Sequence, residues 1–328
     1  MGFIFTPVLS VELTQLCNLD CKHCLSGESK NVKITREILE KLFDEVVFAE
    51  TLYLTGGEVF LAYEQIKMLL EIAKAKHVIL RECAMLINGT VYDERIYTLL
   101  DEYFGNNYSV TISCDVYHDE SMSRKFLGKE DVLEDSMRKH FNNKHCEGFK
   151  NAEAILINTG RAKNLNVLKN DFDPVGYFYD YFQHLGFLVG PLLFVGADGY
   201  ITDGNLEVDS REEQSLGNIL NESIQTMVER GGVRVKCGDV EKFFVAMDKR
   251  FEAHQKRKGE HYKFENHRLV INHDYKCLDF SEVLEDCNKL MRMFYEKGMD
   301  SIEFKESLDE SCEKYPYDIS QMVHKKVN

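Results

Sequence analysis

Three cysteines within eight residues constrain this chain of 328 residues more than any other feature. Cys17, Cys21 and Cys24 have the spacing C-x3-C-x2-C, and they follow an apolar segment, residues 8–14, whose pattern predicts a β-strand. Three thiolates on one short loop can hold three irons of a cubane and leave the fourth iron without a protein ligand. The loop therefore predicts a [4Fe-4S] cluster with one iron open to a substrate.

Zinc is the alternative metal for this loop. Structural zinc takes four thiolate or imidazole ligands, and His23 offers the fourth. However, His23 lies between two of the cysteines, and the separated second pair of ligands that such zinc sites usually use is absent from the sequence. Chance spacing is a third interpretation. The other seven of the ten cysteines are scattered, and core packing is the ordinary role of such residues.

Charge and composition exclude several classes of protein. The net charge of −15 repels phosphate backbones, so a duplex nucleic acid is a disfavoured partner. No apolar run reaches the roughly 18 residues that a membrane-spanning helix needs, and the N-terminus lacks the pattern of a signal peptide. We therefore expect a cytoplasmic protein without a membrane partner, a setting in which clustered cysteines indicate a metal or catalysis rather than disulfides.

Strand-like and helix-like segments alternate along the first 115 residues. The predicted strands are 8–14, 51–55, 78–87 and 108–113, and the predicted helices are 34–47, 63–76 and 93–104. Repeated strand–helix units favour parallel strands joined by right-handed crossovers. We therefore predict an α/β fold, a partial (β/α)5-6 TIM-like barrel whose site lies at the carboxyl ends of the strands.

The second half of the chain is predicted to be less regular. It carries a hairpin at 192–201, with further helices and one strand around it; these are helices at 130–141, 172–187, 219–228, 240–256 and 281–297 and a strand at 152–158. We expect a barrel core over 1–165, a last barrel element with the hairpin over 166–220, and a mostly helical C-terminal region over 221–328.

Polar residues follow the predicted strands where a parallel fold places its site. After the second strand, Gly56 and Gly57 let the backbone approach a ligand closely, and Glu58 can accept a hydrogen bond from an ammonium group. After the fourth strand, alternation puts Ser113 and Asp115 on one face. Each set also has a structural interpretation, as a plain strand-to-helix turn or as an Asx cap.

Together these motifs resemble the radical SAM superfamily. The resemblance implies that the amino and carboxylate groups of S-adenosylmethionine (SAM) chelate the open iron, and that one electron splits SAM into methionine and a 5′-deoxyadenosyl radical. It implies a further set of SAM contacts, with His23 stacking on the adenine. That set is His23, Gly56, Gly57, Glu58, Asn88, Ser113, Asp115 and Arg161.

Within this superfamily, the sequence is similar to bacterial peptide epimerases and related peptide-modifying enzymes. The similarity rests on Gly-Gly-Glu-Val-Phe-Leu and Ser-x-Asp-x-Tyr-His and is closest over residues 8–120. It implies a ribosomally synthesised peptide as substrate, an electron donor of the flavodoxin or ferredoxin type, and catalytic roles for Tyr117 and His118. His118 can relay a proton, although a structural hydrogen bond explains a lone histidine equally well.

The C-terminal half departs from the family pattern. The hairpin and the segment after it resemble a SPASM or twitch extension, but Thr202 and Asp203 stand where that extension has a cysteine. We therefore expect one cluster only. The epimerases also use a cysteine near this hairpin to return a hydrogen atom, and the absence of such a cysteine argues against epimerisation. Two alternatives stay open: a radical SAM enzyme that acts on a nucleoside, sugar or other small metabolite, and a non-catalytic protein that binds zinc or a cluster.

Overall fold

The computed structural model describes the chain at residues 3–148, 160–165, 187–189, 192–202, 208–231, 262–265 and 268–271. These residues divide between two compact units. The larger unit comprises residues 8–176 and 192–231, and it contains every described residue of the candidate site. The smaller unit comprises residues 1–7, 177–191 and 232–328.

Strands and helices alternate through the first four strands, as the sequence predicts for the first 115 residues, and two helices and a short strand follow. The strands are β1 (Phe3–Thr14), β2 (Val46–Gly56), β3 (Ile79–Ile87), β4 (Tyr108–Ile112) and β5 (Cys146–Gly148). The helices are α1 (Arg36–Glu45), α2 (Tyr63–Ala75), α3 (Glu94–Phe104), α4 (Val116–Lys125) and α5 (Glu130–Phe141). Thr35 and Asp93 cap α1 and α3 with their side chains, which is the ordinary way to satisfy the first free N–H groups of a helix.

The sheet of the larger unit runs in the order β5-β4-β3-β2-β1 and continues beyond β1 into the hairpin. The pairs β2–β3, β3–β4 and β4–β5 are parallel. Side chains 9–14 of β1 are all buried, as expected of a central strand that is covered on both faces. The prediction of an α/β fold with a parallel sheet is confirmed.

The predicted hairpin is also confirmed. It consists of β7 (Leu192–Val195) and β8 (Tyr200–Thr202), which are antiparallel, and β7 lies parallel to β1. The elements that follow are α6 (Arg211–Gln214), β9 (Gly217–Asn218) and α7 (Ile224–Gly231). The last of these begins five residues later than the predicted helix at 219–228, because Asn218 and Ile219 form hydrogen bonds with the hairpin turn.

The described part of the smaller unit consists of short strands. The first residues of β1 pair in parallel with β6 (Phe187–Val189), and β10 (Tyr262–Glu265) pairs with β11 (Arg268–Ile271). The predicted strand at 152–158 and the predicted helices at 172–187, 240–256 and 281–297 lie wholly or almost wholly outside the described residues. None of the helices in the described ranges has the length and apolar character that crossing a bilayer requires.

Candidate metal centre and cofactor site

The cysteine loop connects the end of β1 to the start of α1, and its two ends are hydrogen-bonded to each other. Thr14 bridges Lys33, and the backbone N–H of Gln15 donates to the carbonyl of Val32 at 2.9 Å. Inside the loop, the Ser29 hydroxyl accepts a hydrogen bond from the N–H of Cys17 at 2.9 Å. The loop is therefore held at its base, and the three cysteines lie beyond the carboxyl end of the central strand.

The three thiols are close enough to influence one another electrostatically. Cys21 is buried, whereas Cys17 and Cys24 are half-buried. Burial, together with the negative charge of neighbouring thiolates, raises the pKa of Cys17 to about 12 and that of Cys21 to about 11, although hydrogen bonds from Leu19 and Ser121 act in the opposite direction. Without a cation, this site strongly disfavours thiolates. A bound metal supplies the missing positive charge, so the donor set fits a metal centre.

Cys17 and Cys21 pack near Met122 of α4. Cys21 forms a small core with Leu19 and Met122, and Cys17 and Phe126 pack against that core. The loop is tied to the same helix by polar contacts, since Asp20 accepts hydrogen bonds from Ser121 at 2.7 Å and from Arg124 at 2.6 Å. The sequence did not indicate these contacts, because they join residues about 100 positions apart and α4 itself was not predicted.

The two glycines after β2 lie against the backbone of the cysteine loop. A Cβ on Gly56 would be 2.3 Å from the carbonyl oxygen of Thr14, and a Cβ on Gly57 would be 2.3 Å from that of Leu16. The N–H of Gly57 donates to Thr14 at 2.7 Å. In the described structure these glycines therefore allow β2 to approach the loop, a role that the sequence could not separate from contact with a ligand.

Glu58 is buried next to the loop and 1% exposed. Its carboxylate accepts hydrogen bonds from the backbone N–H groups of Phe60 at 3.0 Å and Asn88 at 2.8 Å, neither of which carries a formal charge. Burial raises its pKa to about 7, although these N–H groups and the charge of His118 act in the opposite direction. A cation that enters this site gains a charge-assisted hydrogen bond and restores the ionised carboxylate.

Asn88, at the end of β3, joins the cysteine loop through a network of side chains. The side-chain amide nitrogen of Asn88 donates to Oδ1 of Asn18 at 3.0 Å, and the side-chain nitrogen of Asn18 donates to the Thr90 hydroxyl at 2.7 Å. Thr90 in turn donates two hydrogen bonds to Oδ1 of Asn88, from its backbone N–H at 3.0 Å and its hydroxyl at 2.6 Å. The Asn88 amide nitrogen also lies 3.8 Å from the Cys17 sulfur.

The end of β4 differs from the alternation expected from sequence. The strand ends at Ile112, and Asp115 is the N-cap of α4, with its Oδ1 accepting hydrogen bonds from the backbone N–H groups of Tyr117 and His118. The alternative interpretation of Asp115 as an Asx cap is thus the observed one. Ser113 is half-buried, and its N–H donates to the carbonyl of Ile87 at 2.8 Å.

Three side chains converge at the start of α4. Asp115 Oδ2 lies 2.6 Å from His118 Nδ1 and 3.3 Å from His23 Nε2. Each of the three side chains offers one potential metal-ligand atom, and these three atoms lie within 4.8 Å of one another. The His23 ring stacks on Tyr117 at 4.9 Å. Burial acts to raise the pKa of Asp115, but the hydrogen bonds from both histidines outweigh it and hold that pKa well below its usual range.

Two buried nitrogens near the loop have no hydrogen-bond partner among the described residues. They are His23 Nδ1 and Arg161 Nε. Arg161 reaches the loop because its backbone N–H donates to the carbonyl of Cys24 at 2.9 Å, and a Cβ on the preceding Gly160 would meet that same oxygen at 2.2 Å. Buried polar atoms rarely stay unpaired, so these two nitrogens fit contacts with a bound cofactor.

The structure places the site residues predicted from sequence near the cysteine loop. They lie on the loop itself, at or just after the ends of β2, β3 and β4, in the first turn of α4, or in the segment 160–164; they are Cys17, Cys21, Cys24, His23, Gly56, Gly57, Glu58, Asn88, Ser113, Asp115, Tyr117, His118 and Arg161. Asn18 and Thr90 were missed, because neither forms a motif in sequence. The expectation of a single cluster also depends on the dispersed spacing of the last four cysteines of the sequence, and Asp203, Cys237, Cys277, Cys287 and Cys312 all lie outside the described residues.

Comparisons with known proteins agree with this geometry. Residues 11–169 match the family model described as the radical SAM superfamily, which confirms the resemblance found in the motifs. The chain is also 30% identical over 125 residues to the putative peptide biosynthesis protein YydG of Bacillus subtilis (strain 168). That alignment covers 35% of this chain and 38% of the relative, so the chain spans well under half of the length of the curated relative it matches.

Two solved structures are also similar to this chain. Native anSMEcpe with bound AdoMet and Cp18Cys peptide has a TM-score of 0.40 and 14% identity, over 89% of this chain and 98% of that chain. Streptococcus suis SuiB bound to S-adenosylmethionine has a TM-score of 0.36 and 12% identity, over 68% of this chain and 65% of that chain.

Proposed function

We propose, from the radical SAM domain that residues 11–169 form, that this chain is a radical SAM enzyme that modifies a peptide. One observation carries the proposal: three cysteines, whose thiolates would repel one another, share a loop beside a buried carboxylate. Within the described part of the chain, that carboxylate accepts hydrogen bonds from backbone N–H groups only. The thiols fit an iron–sulfur cluster, and the carboxylate fits the ammonium of SAM. The superfamily uses both a [4Fe-4S] cluster and SAM.

When bound, the cluster and SAM would supply the chemistry that no side chain offers, the reductive cleavage of SAM to a 5′-deoxyadenosyl radical that abstracts hydrogen from the substrate. Cys17, Cys21 and Cys24 would hold the cluster, and Glu58 would accept a hydrogen bond from the SAM ammonium. We expect one cluster per chain.

Other contacts to SAM are assigned by chemical type. The flat ring of His23 offers a stacking surface for adenine, Ser113 offers a hydroxyl for the ribose, and the unpartnered Arg161 Nε suits the carboxylate. Gly56 and Gly57 contribute indirectly, because they allow the end of β2 to pack closely against the backbone of the cysteine loop. Asn88 and Asp115 border it with side chains that are engaged by other residues of the chain.

His118 and Tyr117 are the proposed catalytic residues. Because Nδ1 of His118 donates to Asp115, Nε2 is the ring nitrogen left to exchange a proton with substrate. Tyr117 stacks on His23 and so fixes the plane of that ring. Both residues occupy the first turn of α4, where the helix N-terminus meets the cysteine loop.

The peptide substrate is supported by the printed name of the curated relative, a peptide biosynthesis protein. We propose a ribosomally synthesised peptide and, as electron donor, a flavodoxin or ferredoxin. A cytoplasmic location is part of the same proposal, since low-potential carriers and free SAM are found there. A nucleoside, sugar or other small metabolite is the alternative substrate, and a non-catalytic zinc or cluster protein is the alternative of another class.

Anaerobic reconstitution tests the proposal. The chain is loaded with iron and sulfide, reduced with dithionite and incubated with SAM, and 5′-deoxyadenosine is quantified by chromatography. We expect its formation in the wild type and in Cys83→Ala, which removes a buried cysteine of β3, and its loss in Cys21→Ala. A wild-type chain that holds about four irons and forms no 5′-deoxyadenosine contradicts the proposal.

The substrate is tested separately. Candidate peptides encoded beside the gene are added with deuterium at each class of C–H bond, and mass spectrometry follows the label. We expect deuterium to pass from a peptide into 5′-deoxyadenosine. Transfer from a small metabolite, and from none of the peptides, contradicts the peptide assignment while leaving the radical chemistry intact.

A further inference from the structure

We propose that Asn88 is a positioning residue of the cluster: its side-chain amide donates a hydrogen bond to the Cys17 sulfur and raises the cluster's reduction potential. The inference rests on the proposed function, because it requires a cluster on Cys17. The contact joins Nδ2 of Asn88 to Sγ of Cys17 at 3.8 Å, across 71 positions of sequence.

The direction of this hydrogen bond follows from the surroundings of the amide. The backbone N–H of Thr90 can only donate, and it lies 3.0 Å from Oδ1 of Asn88. The oxygen of the Asn88 amide must therefore face Thr90. Its nitrogen consequently faces Asn18 and Cys17, so the group that points at the sulfur is a donor.

The amide has no capacity left for another ligand. Its oxygen has two lone pairs, which accept from the N–H and the hydroxyl of Thr90. Its nitrogen has two hydrogens, which point to the Asn18 oxygen and the Cys17 sulfur. Since Asn88 is only 5% exposed, we infer that it acts through Cys17 and does not bind SAM directly.

Cys17 is half-buried, and hydrogen-bond donors of the chain itself face its sulfur. Besides the Asn88 amide, its sulfur accepts a hydrogen bond from the N–H of Leu19 at 3.4 Å. Hydrogen bonds to the sulfurs of a cluster stabilise its more negative, reduced state and so raise its reduction potential.

The test replaces Asn88 by leucine, which has the same branching and cannot donate. Asn106→Ala is the matched control, since it removes an exposed amide remote from the loop. Both chains and the wild type are reconstituted anaerobically, and the midpoint potential of the cluster is measured by redox titration followed by EPR. We expect a more negative potential in Asn88→Leu and an unchanged one in Asn106→Ala.

A second measurement uses the wild-type chain and does not depend on the variant folding. Asparagine labelled with ¹⁵N at the side-chain amide is incorporated, and pulsed EPR of the reduced cluster looks for a ¹⁵N coupling. We expect a coupling that Asn88→Leu lacks. An unshifted potential in a fully loaded Asn88→Leu chain, or the absence of the coupling in the wild type, overturns the inference. Failure of the wild type to form any cluster overturns the proposed function instead.

Discussion

Among single residues, Glu58 best illustrates how burial prepares a site for a cation. Its carboxylate is surrounded by protein, and burial raises its pKa to about 7, so the ionised form is less favoured than that of an exposed glutamate. An ammonium that hydrogen-bonds to the carboxylate stabilises the ionised form. The ammonium of SAM is therefore the partner that we propose for this group.

Replacement of this carboxylate tests that account. We expect Glu58→Gln to weaken SAM binding by about 10- to 100-fold, since a hydrogen bond to a charged group contributes about 1.5–3 kcal/mol. Equilibrium dialysis of SAM against the reconstituted chain measures the effect. Glu64→Gln, on the exposed side of α2, is the matched control and should bind normally. Equal affinity in Glu58→Gln and wild type contradicts the assignment.

At this scale the sequence predicts motifs well and networks poorly. The cysteine spacing and Gly-Gly-Glu are local patterns, and each is recognisable within a few residues. The bonds among Asn18, Asn88 and Thr90 depend on segments about 70 positions apart, which only the fold brings together. For Asp115, the sequence allowed both a ligand contact and a helix cap, and the structure shows the cap.

Among elements, the segment at Gly160–Asn164 packs against the cysteine loop. Gly160 has a φ of +56°, and a Cβ there would lie 2.2 Å from the carbonyl oxygen of Cys24. The close contact places Arg161 beside the loop. We therefore expect the docking of this segment to help fix the geometry of the loop.

Gly160→Ala tests the importance of this contact. Gly128→Ala is its control, because Gly128 has a φ of +75° and nothing within 4 Å of a Cβ. Both substitutions carry the strain of a left-handed alanine, about 1 kcal/mol. Only the Cβ of Gly160→Ala would push against the cysteine loop. We therefore expect the Gly160→Ala chain to bind less than half of the iron that the Gly128→Ala chain binds. Equal iron content in the two chains contradicts the docking role.

Helix α5 is anchored by a buried histidine. His140 accepts a hydrogen bond from the Tyr97 hydroxyl at Nδ1, 2.8 Å away, and donates from Nε2 to the carbonyl of Val91 at 2.8 Å. Burial lowers its pKa, although the bond to Val91 acts in the opposite direction. Both ring nitrogens are thus satisfied by the neutral form.

This histidine should make stability depend on pH. Its folded-state pKa lies below the ordinary value of 6.5, so the unfolded chain binds more protons and stability falls as the pH drops through 6.5. His140→Gln keeps one donor and one acceptor without a titrating group. We expect its urea midpoint to decline less than that of the wild type between pH 8 and pH 5. Parallel declines contradict the role of His140.

The sequence predicted most elements because their apolar residues recur regularly. The helices α1, α2 and α3 bury one face, and the observed bounds agree with the predicted ones to within two residues. Helix α4 was missed because only Ser121 and Met122 of its residues are buried, which leaves no apolar period to detect. Strand β5 has three residues, too few for any pattern.

At the scale of the whole molecule, a buried ion pair joins the parallel sheet of the larger unit to the hairpin region. Arg211, which is fully buried, donates to both oxygens of Glu12 at 2.6 and 2.8 Å. Asp198 in the hairpin turn lies 3.4 Å from the same guanidinium. Because Glu12 belongs to β1, the pair connects the hairpin region to the strand that carries the cysteine loop.

Removal of one partner should be costly. We expect Arg211→Met to lower the free energy of unfolding by about 3–5 kcal/mol, because it leaves the buried Glu12 carboxylate without its cationic partner. Arg230→Met removes an exposed partner of Glu222 and should cost no more than about 1 kcal/mol. Urea denaturation measures both. A small loss in Arg211→Met, or no recovery in Glu12→Leu/Arg211→Met, contradicts this account.

The most direct test of the central claim is Mössbauer spectroscopy of the ⁵⁷Fe-reconstituted chain with and without SAM. Three cysteine ligands leave one iron of the cubane chemically distinct. The account predicts that SAM changes the spectrum of about one iron in four, and that Cys21→Ala shows no such change. A spectrum in which all irons stay equivalent with SAM, or a chain that binds zinc and excludes iron, contradicts it.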